Sequence, residues 1–245
     1  MKTENNFGAN NAIQKKNINI YMNTQLIQTI QTLKNFHLCR VIGLTGKKGS
    51  GKSAFASFLK KELEQQGHRV EVWGFATKLK QEVIELFKGD CPYSDPDEFF
   101  TPELKASYPS VRKLLQNWGD WRKTQDPDYW TTAWLTCAKN FIDLWNYNDS
   151  IAEDWMERED LEVELAQKRY IIIPDLRFLN ENNTLFSCFG GRYTSVRIIG
   201  TDTDTVDTHN SEVEQAKIPA YFEIMNTATL DMLRDEARRF TLELT

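Results

Sequence analysis

The stretch LCRVIGLTGKKGSGKS, residues 38–53, decides the fold, because a glycine-rich turn directly follows a short apolar segment. Residues 38–44 are largely apolar, which is typical of a strand that is buried on both faces of a parallel sheet. The turn then matches the spacing G-x-x-x-x-G-K-[ST], and an amphipathic helix pattern comes after it. Strand, turn and helix are the context that this spacing requires, and together they predict a phosphate-binding loop.

The predicted loop offers both backbone and side-chain groups to a nucleoside triphosphate. Glycines let the backbone approach a phosphate closely, and successive N–H groups at the start of a helix then bind the anion. We expect Lys52 to reach the β- and γ-phosphates and the hydroxyl of Ser53 to ligate Mg²⁺. The residues predicted to bind ATP in this loop are Gly46, Lys47, Gly49, Ser50, Gly51, Lys52 and Ser53.

Strand and helix patterns alternate along the rest of the chain, which predicts an α/β fold with a parallel sheet. With the loop, this order is typical of the P-loop NTPase three-layer fold with about five parallel strands. The segments predicted as strands are 38–44, 69–75, 170–173, 194–199 and 221–225. We expect residues 38–245 to form this domain, and residues 1–37 to be a polar tail that ends in a short helix.

A largely helical excursion is predicted within the domain at about residues 76–168. Five prolines and glycines in residues 89–109 predict an irregular segment at its start. The helical spacing of Trp130 and Trp134 predicts core positions, whereas Trp121 breaks that spacing and is the better candidate for stacking on a base. Residues 147–166 are strongly acidic, and we interpret them as a solvated helix or an insertion; within them, we interpret 151–164 as a solvated face rather than a metal site.

Composition limits the partners that the protein can have. The chain has 245 residues and a net charge of −5, which argues against a dedicated duplex-DNA binder, although small anions remain compatible with local basic clusters. Its four cysteines are far apart and lack metal-ligand spacing, which is typical of free thiols in a reducing cytoplasm. No apolar run approaches the length of a membrane span. We therefore expect a cytoplasmic protein with small-molecule substrates, no duplex nucleic acid and no membrane, and with a homodimer as one candidate assembly.

The third predicted strand ends in a second polar segment, Pro174-Asp175-Leu176-Arg177. Open α/β sheets bind ligands at the carboxyl ends of their strands, so Asp175 is expected to face the phosphate-binding loop and to assist Mg²⁺ or the acceptor. Arg177 could then clamp a phosphate through two parallel hydrogen bonds. From the spacing alone, an ordinary strand-end aspartate beside a surface arginine stays open as an alternative.

Several segments together resemble the phage-type deoxynucleoside monophosphate kinases, which belong to the wider nucleoside-monophosphate-kinase group of P-loop proteins. DLRFLNE is the most specific of these segments, and the segments occur in the family's order over most of residues 40–240. The matching stretches are GLTGKKGSGKS (43–53), GFATKLK (74–80), LLQNWGDWRKTQDPDYW (114–130), DLRFLNEN (175–182), HNSE (209–212) and FEIMNTATLDML (222–233).

This resemblance implies Mg²⁺-dependent transfer of the γ-phosphoryl group of ATP to a deoxynucleoside monophosphate, by positioning and charge neutralisation. It implies that Lys52 and Mg²⁺ hold the donor, that Ser53 and Asp175 serve the metal, and that Arg122 grips the acceptor phosphate. Lys52, Asp175, Arg177 and Arg122 are then the expected catalytic residues. The residues implied to contact the acceptor are Phe75, Lys80, Trp121, Arg122, Asp175, Arg177 and Glu181, and those implied to border the donor adenine are Asn226 and Thr227.

Two features leave other functions open. Kinases of this family often carry a further arginine after the fourth strand, just before the His-x-Ser-Glu segment. This chain reads Arg197-Ile198-Ile199-Gly200 there and lacks it; Arg192 or Arg197 could substitute. A nucleotide-binding module with reduced or lost transfer is therefore one alternative. The other is a different small-molecule P-loop kinase, because IGLTG…GSGKS also resembles dephospho-coenzyme A kinase.

Overall fold

The computed structural model describes residues 24–33, 36–86, 100–155, 167–200, 214–226 and 229–244. The predicted tail before residue 24, Thr227, the HNSE segment, and most of the acidic stretch therefore lie outside the described residues. The chain divides into two compact units. The larger unit consists of residues 30–74 and 138–245, and the smaller one contains the described residues of Met1–Thr29 and Phe75–Cys137.

The larger unit is built on a five-stranded parallel sheet, which confirms the predicted α/β fold. Its strands are β1 (Cys39–Thr45), β2 (Arg69–Val72), β3 (Arg169–Ile173), β4 (Tyr193–Gly200) and β5 (Phe222–Asn226). The sheet order is β2-β3-β1-β4-β5, so β1 lies at the centre between β3 and β4. The loop that follows β1 therefore emerges from the middle of the carboxyl edge of the sheet.

Helices account for most of the remaining described residues. They are α1 (24–31), α2 (Lys52–Gln65), α3 (Phe75–Leu86), α4 (Pro102–Ser107), α5 (Pro109–Gln125), α6 (Tyr129–Trp155), α7 (Leu179–Phe189) and α8 (Leu230–Glu243). In addition, single 3-10 turns precede β1 and β4, at Phe36–Leu38 and Gly190–Arg192.

Helices cover both faces of the sheet. On one face, apolar side chains of α2 and α8, including Leu59 and Phe240, form a single core with Ile172 and Ile198 of the strands. On the other face, α7 packs against β1 and β4, and the hydroxyl of Tyr193 donates a hydrogen bond of 2.8 Å to the amide oxygen of Asn182. The predicted three layers are thus present in this unit.

The smaller unit packs α3 against α5 and α4 against α5. Gly119 of α5 allows this approach, because a Cβ there would lie 2.8 Å from Leu79 of α3. Trp130 and Trp134 are buried, as their spacing predicted; the Trp130 indole donates to the carbonyl of Gly119 at 3.2 Å. Trp134 packs its ring 5.8 Å from that of Phe75.

Two predictions about local structure were wrong. The second strand ends at Val72, and helix α3 already begins at Phe75. The segment 89–109, predicted to be irregular, contains helix α4 in its described part, and α5 begins at Pro109. Proline fits the first turn of a helix, where its missing N–H has no partner to lose, and Thr101 caps α4 by accepting from the Leu104 amide at 3.1 Å.

A buried charge cluster at the amino-terminal edge of the sheet corrects another prediction. Asp149 falls in residues 147–166, which were interpreted as a solvated helix or an insertion, yet it is only 1% exposed. Its carboxylate accepts from Arg69 at 2.7 Å and from Arg169, the starting residues of β2 and β3. These arginines are register partners on neighbouring strands, and Asn146 also accepts from Arg169 at 3.0 Å. Asp149 therefore neutralises two adjacent cations.

The cysteines that the structure describes are free thiols, as the sequence predicted for Cys39, Cys137 and Cys188. Burial raises the pKa of both Cys39 and Cys188 to about 12, so these two thiols stay protonated at neutral pH. Cys91 lies outside the described residues. In the helices of the described ranges, we find none with the length and apolar character of a membrane span.

Candidate functional site

The loop after β1 adopts the conformation that its glycines predict. Gly46, Gly49 and Gly51 have φ values of 138°, 81° and 97°, a region that side chains other than glycine rarely adopt. At Gly46 a Cβ would overlap the carbonyl oxygen of Ile198 in β4. The loop then passes into α2, so its amides precede a helix of 14 residues. This is the arrangement that binds phosphate in P-loop proteins.

Lys52 is turned inward over this loop. Its ammonium group donates to the carbonyl oxygen of Gly46 and, at 2.7 Å, to that of Lys47. Ser53, the next residue, is exposed at the start of α2, and Lys47 and Lys48 are exposed in the loop. The ammonium thus lies within the turn that precedes α2.

Two other strands support the loop from the side. The amide of Asn226, at the end of β5, donates to the carbonyl oxygen of Ser50 at 2.9 Å. Gly200, at the end of β4, approaches so closely that a Cβ there would lie 2.8 Å from Cα of Ser50. Asn226 was predicted to border the donor adenine; in the structure its side chain holds the loop backbone. The carboxyl ends of β1, β4 and β5 therefore meet at Ser50.

Two hydroxyl groups beside the loop are left unsatisfied. Within the described residues, Oγ1 of Thr45 and Oγ of Ser50 are buried and have no hydrogen-bond partner. Native proteins rarely leave such groups without a partner, an ordered water or an ion. The hydroxyl of Ser50 faces Gly46, since a Cβ on that glycine would lie 3.0 Å from it. The loop therefore retains polar groups that a bound ligand or water would satisfy.

Asp175 lies beside the strand that leads into the loop. The amide of Leu176 donates to the carbonyl oxygen of Leu44 at 3.1 Å, so the chain leaving β3 bends toward the end of β1. The carboxylate of Asp175 lies against the backbone of Gly74, the residue that precedes α3. A Cβ at position 74 would lie only 2.5 Å from Oδ1 of Asp175. Gly74, the first residue of the GFATKLK segment, therefore leaves room for the carboxylate of Asp175.

Gly74→Ala is expected to displace Asp175, because the added methyl carbon would overlap its carboxylate. If the protein catalyses the phosphoryl transfer that the resemblance implies, its kcat should fall about 10-fold or more, because displacement of a positioning group is costly. Steady-state kinetics measure the effect. Gly191→Ala is the matched control, since a Cβ there has no neighbour within 4 Å. Equal kcat in the two variants would contradict the role given to the Gly74 contact.

Glu181 holds the backbone of the segment that carries Arg177. It is 3% exposed, and its carboxylate accepts from the amides of Arg177 and Phe178, each at 3.0 Å. Glu181 is the third residue of α7, and its carboxylate accepts hydrogen bonds from amides that precede the helix. The resemblance implied that Glu181 lies near the acceptor; its contacts in the structure are with the turn itself. It fixes the backbone from which the half-buried Arg177 extends.

The oxygen groups of this site suit Mg²⁺. Mg²⁺ prefers oxygen ligands, keeps several waters, and is held by one or two protein groups together with substrate phosphates. Ser53, which is exposed at the start of α2, and Asp175, which follows β3, supply such oxygens in the segments after two neighbouring strands. Among the side chains that the structure describes, no group of three or more His, Cys, Asp or Glu could hold a metal alone. A metal here would therefore depend on the phosphates of the nucleotide.

Arg122 lies in the smaller unit, inside a cage of aromatic rings. Its guanidinium carbon is 5.3 Å from the centroid of Trp118, 5.2 Å from that of Trp121 and 4.6 Å from that of Tyr129. Its Nε donates to Oε2 of Glu82 at 3.0 Å. In the part of the chain that the structure describes, this is the hydrogen bond that Arg122 makes, so both Nη groups remain for another partner.

The other residues implied to bind the acceptor differ in accessibility. Phe75 is buried against Trp134 and has a packing role. Lys80 is half-buried on α3. Trp121 is 46% exposed and lies 5.0 Å from Trp118, with the Arg122 guanidinium carbon 5.2 Å from its ring centroid.

Glu82 is the residue that the sequence reasoning missed in this unit. It lies on α3, three residues after Leu79 and adjacent to Val83, and it is 7% exposed. A charged residue on the apolar side of a helix was a usable signal, because burial of a carboxylate requires partners.

The larger unit is defined by its fold and loop as a P-loop nucleotide-binding domain. The profile of the KAP family P-loop domain matches residues 19–212, and the chain belongs to this family. The chain is also 29% identical over 199 residues to a protein of Acanthamoeba polyphaga mimivirus named "Putative deoxynucleotide monophosphate kinase". That match covers 78% of this chain and 90% of the relative. A nucleotide-binding, kinase-like protein is thus consistent with fold, loop and relative alike.

Proposed function

We propose that the protein transfers the γ-phosphoryl group of ATP to a deoxynucleoside 5′-monophosphate, giving ADP and a deoxynucleoside diphosphate. The observation that carries this proposal is the loop at 46–53, with its positive φ angles and its inward-facing lysine. The mimivirus relative, through its name, supports the choice of acceptor. Both substrates are small anions, in keeping with a cytoplasmic enzyme.

In this proposal the loop and Lys52 bind the donor. The backbone amides after Gly46 surround the phosphates, and the ammonium of Lys52 exchanges its loop carbonyls for the β- and γ-phosphate oxygens. Ser53 and Asp175 would hold Mg²⁺, which neutralises charge on those phosphates when it is bound. Asn226 and Gly200 keep the loop in this shape through Ser50. The residues of the protein therefore act by orienting the phosphates of the donor and by neutralising their charge.

The acceptor phosphate is assigned to arginines. Arg122 offers two free Nη groups, whose planar arrangement suits two phosphate oxygens. Arg177 is a second candidate, with its backbone fixed by Glu181. Two bound anions approach each other in the reaction, and each cation lowers the repulsion between them. Trp121 provides an exposed ring on which the base could stack.

A coupled assay of ADP formation tests the proposal. It uses ATP and Mg²⁺ with dAMP, dCMP, dGMP, dTMP, their ribose counterparts and dephospho-coenzyme A. We expect turnover of at least one deoxynucleoside monophosphate. Turnover of dephospho-coenzyme A alone would overturn the proposal in favour of the other kinase.

The close approach of Gly200 to Ser50 favours a second candidate, a nucleotide-binding module with little transfer. A side chain at position 200, and hence a cation there, would collide with the backbone of Ser50. Kinases rely on such cations to neutralise the transferring group. Tight ATP binding in calorimetry without ADP formation from any acceptor would support this candidate over the kinase.

If Arg177 clamps the acceptor phosphate, Arg177→Ala is expected to lower kcat/KM for the acceptor. The loss should correspond to about 2–4 kcal/mol of transition-state stabilisation. Acceptor titrations at saturating ATP measure this value. Arg238→Ala, on the exposed side of α8, serves as the control, because this arginine is largely exposed. A kcat/KM for Arg177→Ala near that of the wild type would refute the clamp.

A further inference from the structure

One buried carboxylate organises the surroundings of Arg122. Glu82 of α3 receives hydrogen bonds from two other helices: its Oε2 accepts from Nε1 of Trp118 and from Nε of Arg122, each at 3.0 Å. Its Oε1 accepts from the hydroxyl of Tyr129. Both oxygens are thus occupied, and a carboxylate that is 7% exposed is fully paired. Such pairing is what allows a charge to remain buried.

Glu82 and Arg122 form an ion pair through a single hydrogen bond. Arginine and carboxylate commonly meet through two parallel hydrogen bonds, which would occupy a Nη group of Arg122 as well as Nε. Here Tyr129 takes the second carboxylate oxygen, so Glu82 holds Arg122 through Nε alone. Burial, followed by the hydrogen bond to Glu82, raises the pKa of the Tyr129 hydroxyl to about 12, so it remains a donor at neutral pH.

The aromatic rings restrict the remaining freedom of the arginine. The guanidinium carbon lies within 5.3 Å of three ring centroids, from Trp118, Trp121 and Tyr129. The side chain of Arg122 is nevertheless 31% exposed, so part of it is accessible, and its Nη groups make no hydrogen bond within the described residues. A fixed, charged and accessible fork is a preorganised site for an oxyanion, because little side-chain entropy is lost on binding.

We propose that Glu82 and Tyr129 are positioning residues that hold Arg122 with both Nη groups presented to the phosphate of the acceptor nucleotide. This inference rests on the proposed function, which assigns Arg122 to that phosphate. If Glu82 instead only neutralised the charge of Arg122, the opposite change in affinity would follow. Removing the negative charge of Glu82 would then strengthen the attraction between Arg122 and an anion. The sign of the change in affinity therefore separates the two roles.

Calorimetric titration of the full-length protein with dAMP, dCMP, dGMP and dTMP tests this inference, because it needs no turnover. For each nucleotide that the wild type binds, we expect Glu82→Gln to raise Kd about 10-fold and Tyr129→Phe about threefold, with Kd for ATP unchanged. Glu85→Gln, an exposed carboxylate on the same helix, is the control and should leave every Kd unchanged.

A double variant distinguishes positioning from general loss of structure. If Glu82 acts through Arg122, Glu82→Gln combined with Arg122→Lys should bind the acceptor no more weakly than Arg122→Lys alone. Additive losses, or an unchanged or lower Kd in Glu82→Gln, would overturn the inference. Should Glu82→Gln fail to fold, Tyr129→Phe carries the test, since it removes only one hydroxyl and keeps the ring.

The same titrations keep the two proposals apart. A wild type that binds a deoxynucleoside monophosphate but forms no ADP would refute the kinase, while the Kd values of the variants would still decide the roles of Glu82 and Tyr129. Turnover with unaltered Kd in both variants would refute the inference and leave the kinase standing. A wild type that binds none of the four nucleotides would overturn both.

Discussion

Asp149→Ala is expected to lower the free energy of unfolding by about 3–5 kcal/mol, which is the typical result of removing one partner from a buried ion pair. In the native protein this carboxylate lies between the guanidinium groups of Arg69 and Arg169. Burial and the charge of Arg69 lower the pKa of Arg169, against the opposing effect of Asp149. Without the carboxylate, two adjacent cations remain, and the side chain of Arg169 is only 2% exposed.

Urea denaturation followed by circular dichroism measures this effect. Asp143→Ala is a matched control on the same helix, because its ion pair with Lys139 is partly exposed and should contribute less than about 1 kcal/mol. Asp149→Asn should fall between the two, since it keeps an acceptor oxygen but loses the charge. Similar denaturation midpoints for Asp149→Ala and Asp143→Ala would show that the cluster adds no stability.

Lys52→Ala is expected to reduce phosphoryl transfer about 10³-fold or more, equivalent to about 4 kcal/mol. The variant removes an ammonium group that donates to the loop carbonyls of Gly46 and Lys47. Lys52 does not belong to the buried apolar core that the structure describes, so the melting temperature should change little.

Lys48→Ala gives the comparison for this variant. Lys48 belongs to the same loop and carries the same charge, but it is exposed. Its kcat/KM should stay within about twofold of the wild-type value, as expected for a surface charge. If the two variants lost activity equally, the loop would act through its total charge rather than through the placement of Lys52.

The sheet and the loop could be predicted because their signals are local. Apolar runs identify the strands, and the glycine spacing identifies the turn. The positive φ of Gly46 is a conformation that glycine adopts readily and other residues rarely do. Helix starts at Pro102 and Pro109 were missed because proline both ends and begins helices. Local pattern alone did not distinguish these two uses.

The supporting contacts could not be predicted because their partners are distant in sequence. Asp149 reads as part of a solvated acidic stretch until Arg69, 80 residues away, is brought against it. Likewise, Asn226 contacts Ser50 across 176 residues, and Glu82 contacts Tyr129 across 47. The phosphate-binding loop could thus be recognised from the sequence, whereas the residues that support it depend on the tertiary fold.

The contact between Gly200 and Ser50 limits how this protein could be engineered or could evolve. A single substitution at position 200 cannot add a cation without displacing the backbone of Ser50, because a Cβ there would already lie 2.8 Å from its Cα. Gain of charge at that point would require Ser50 to move first. New cations are therefore easier to introduce on other elements than at the end of β4.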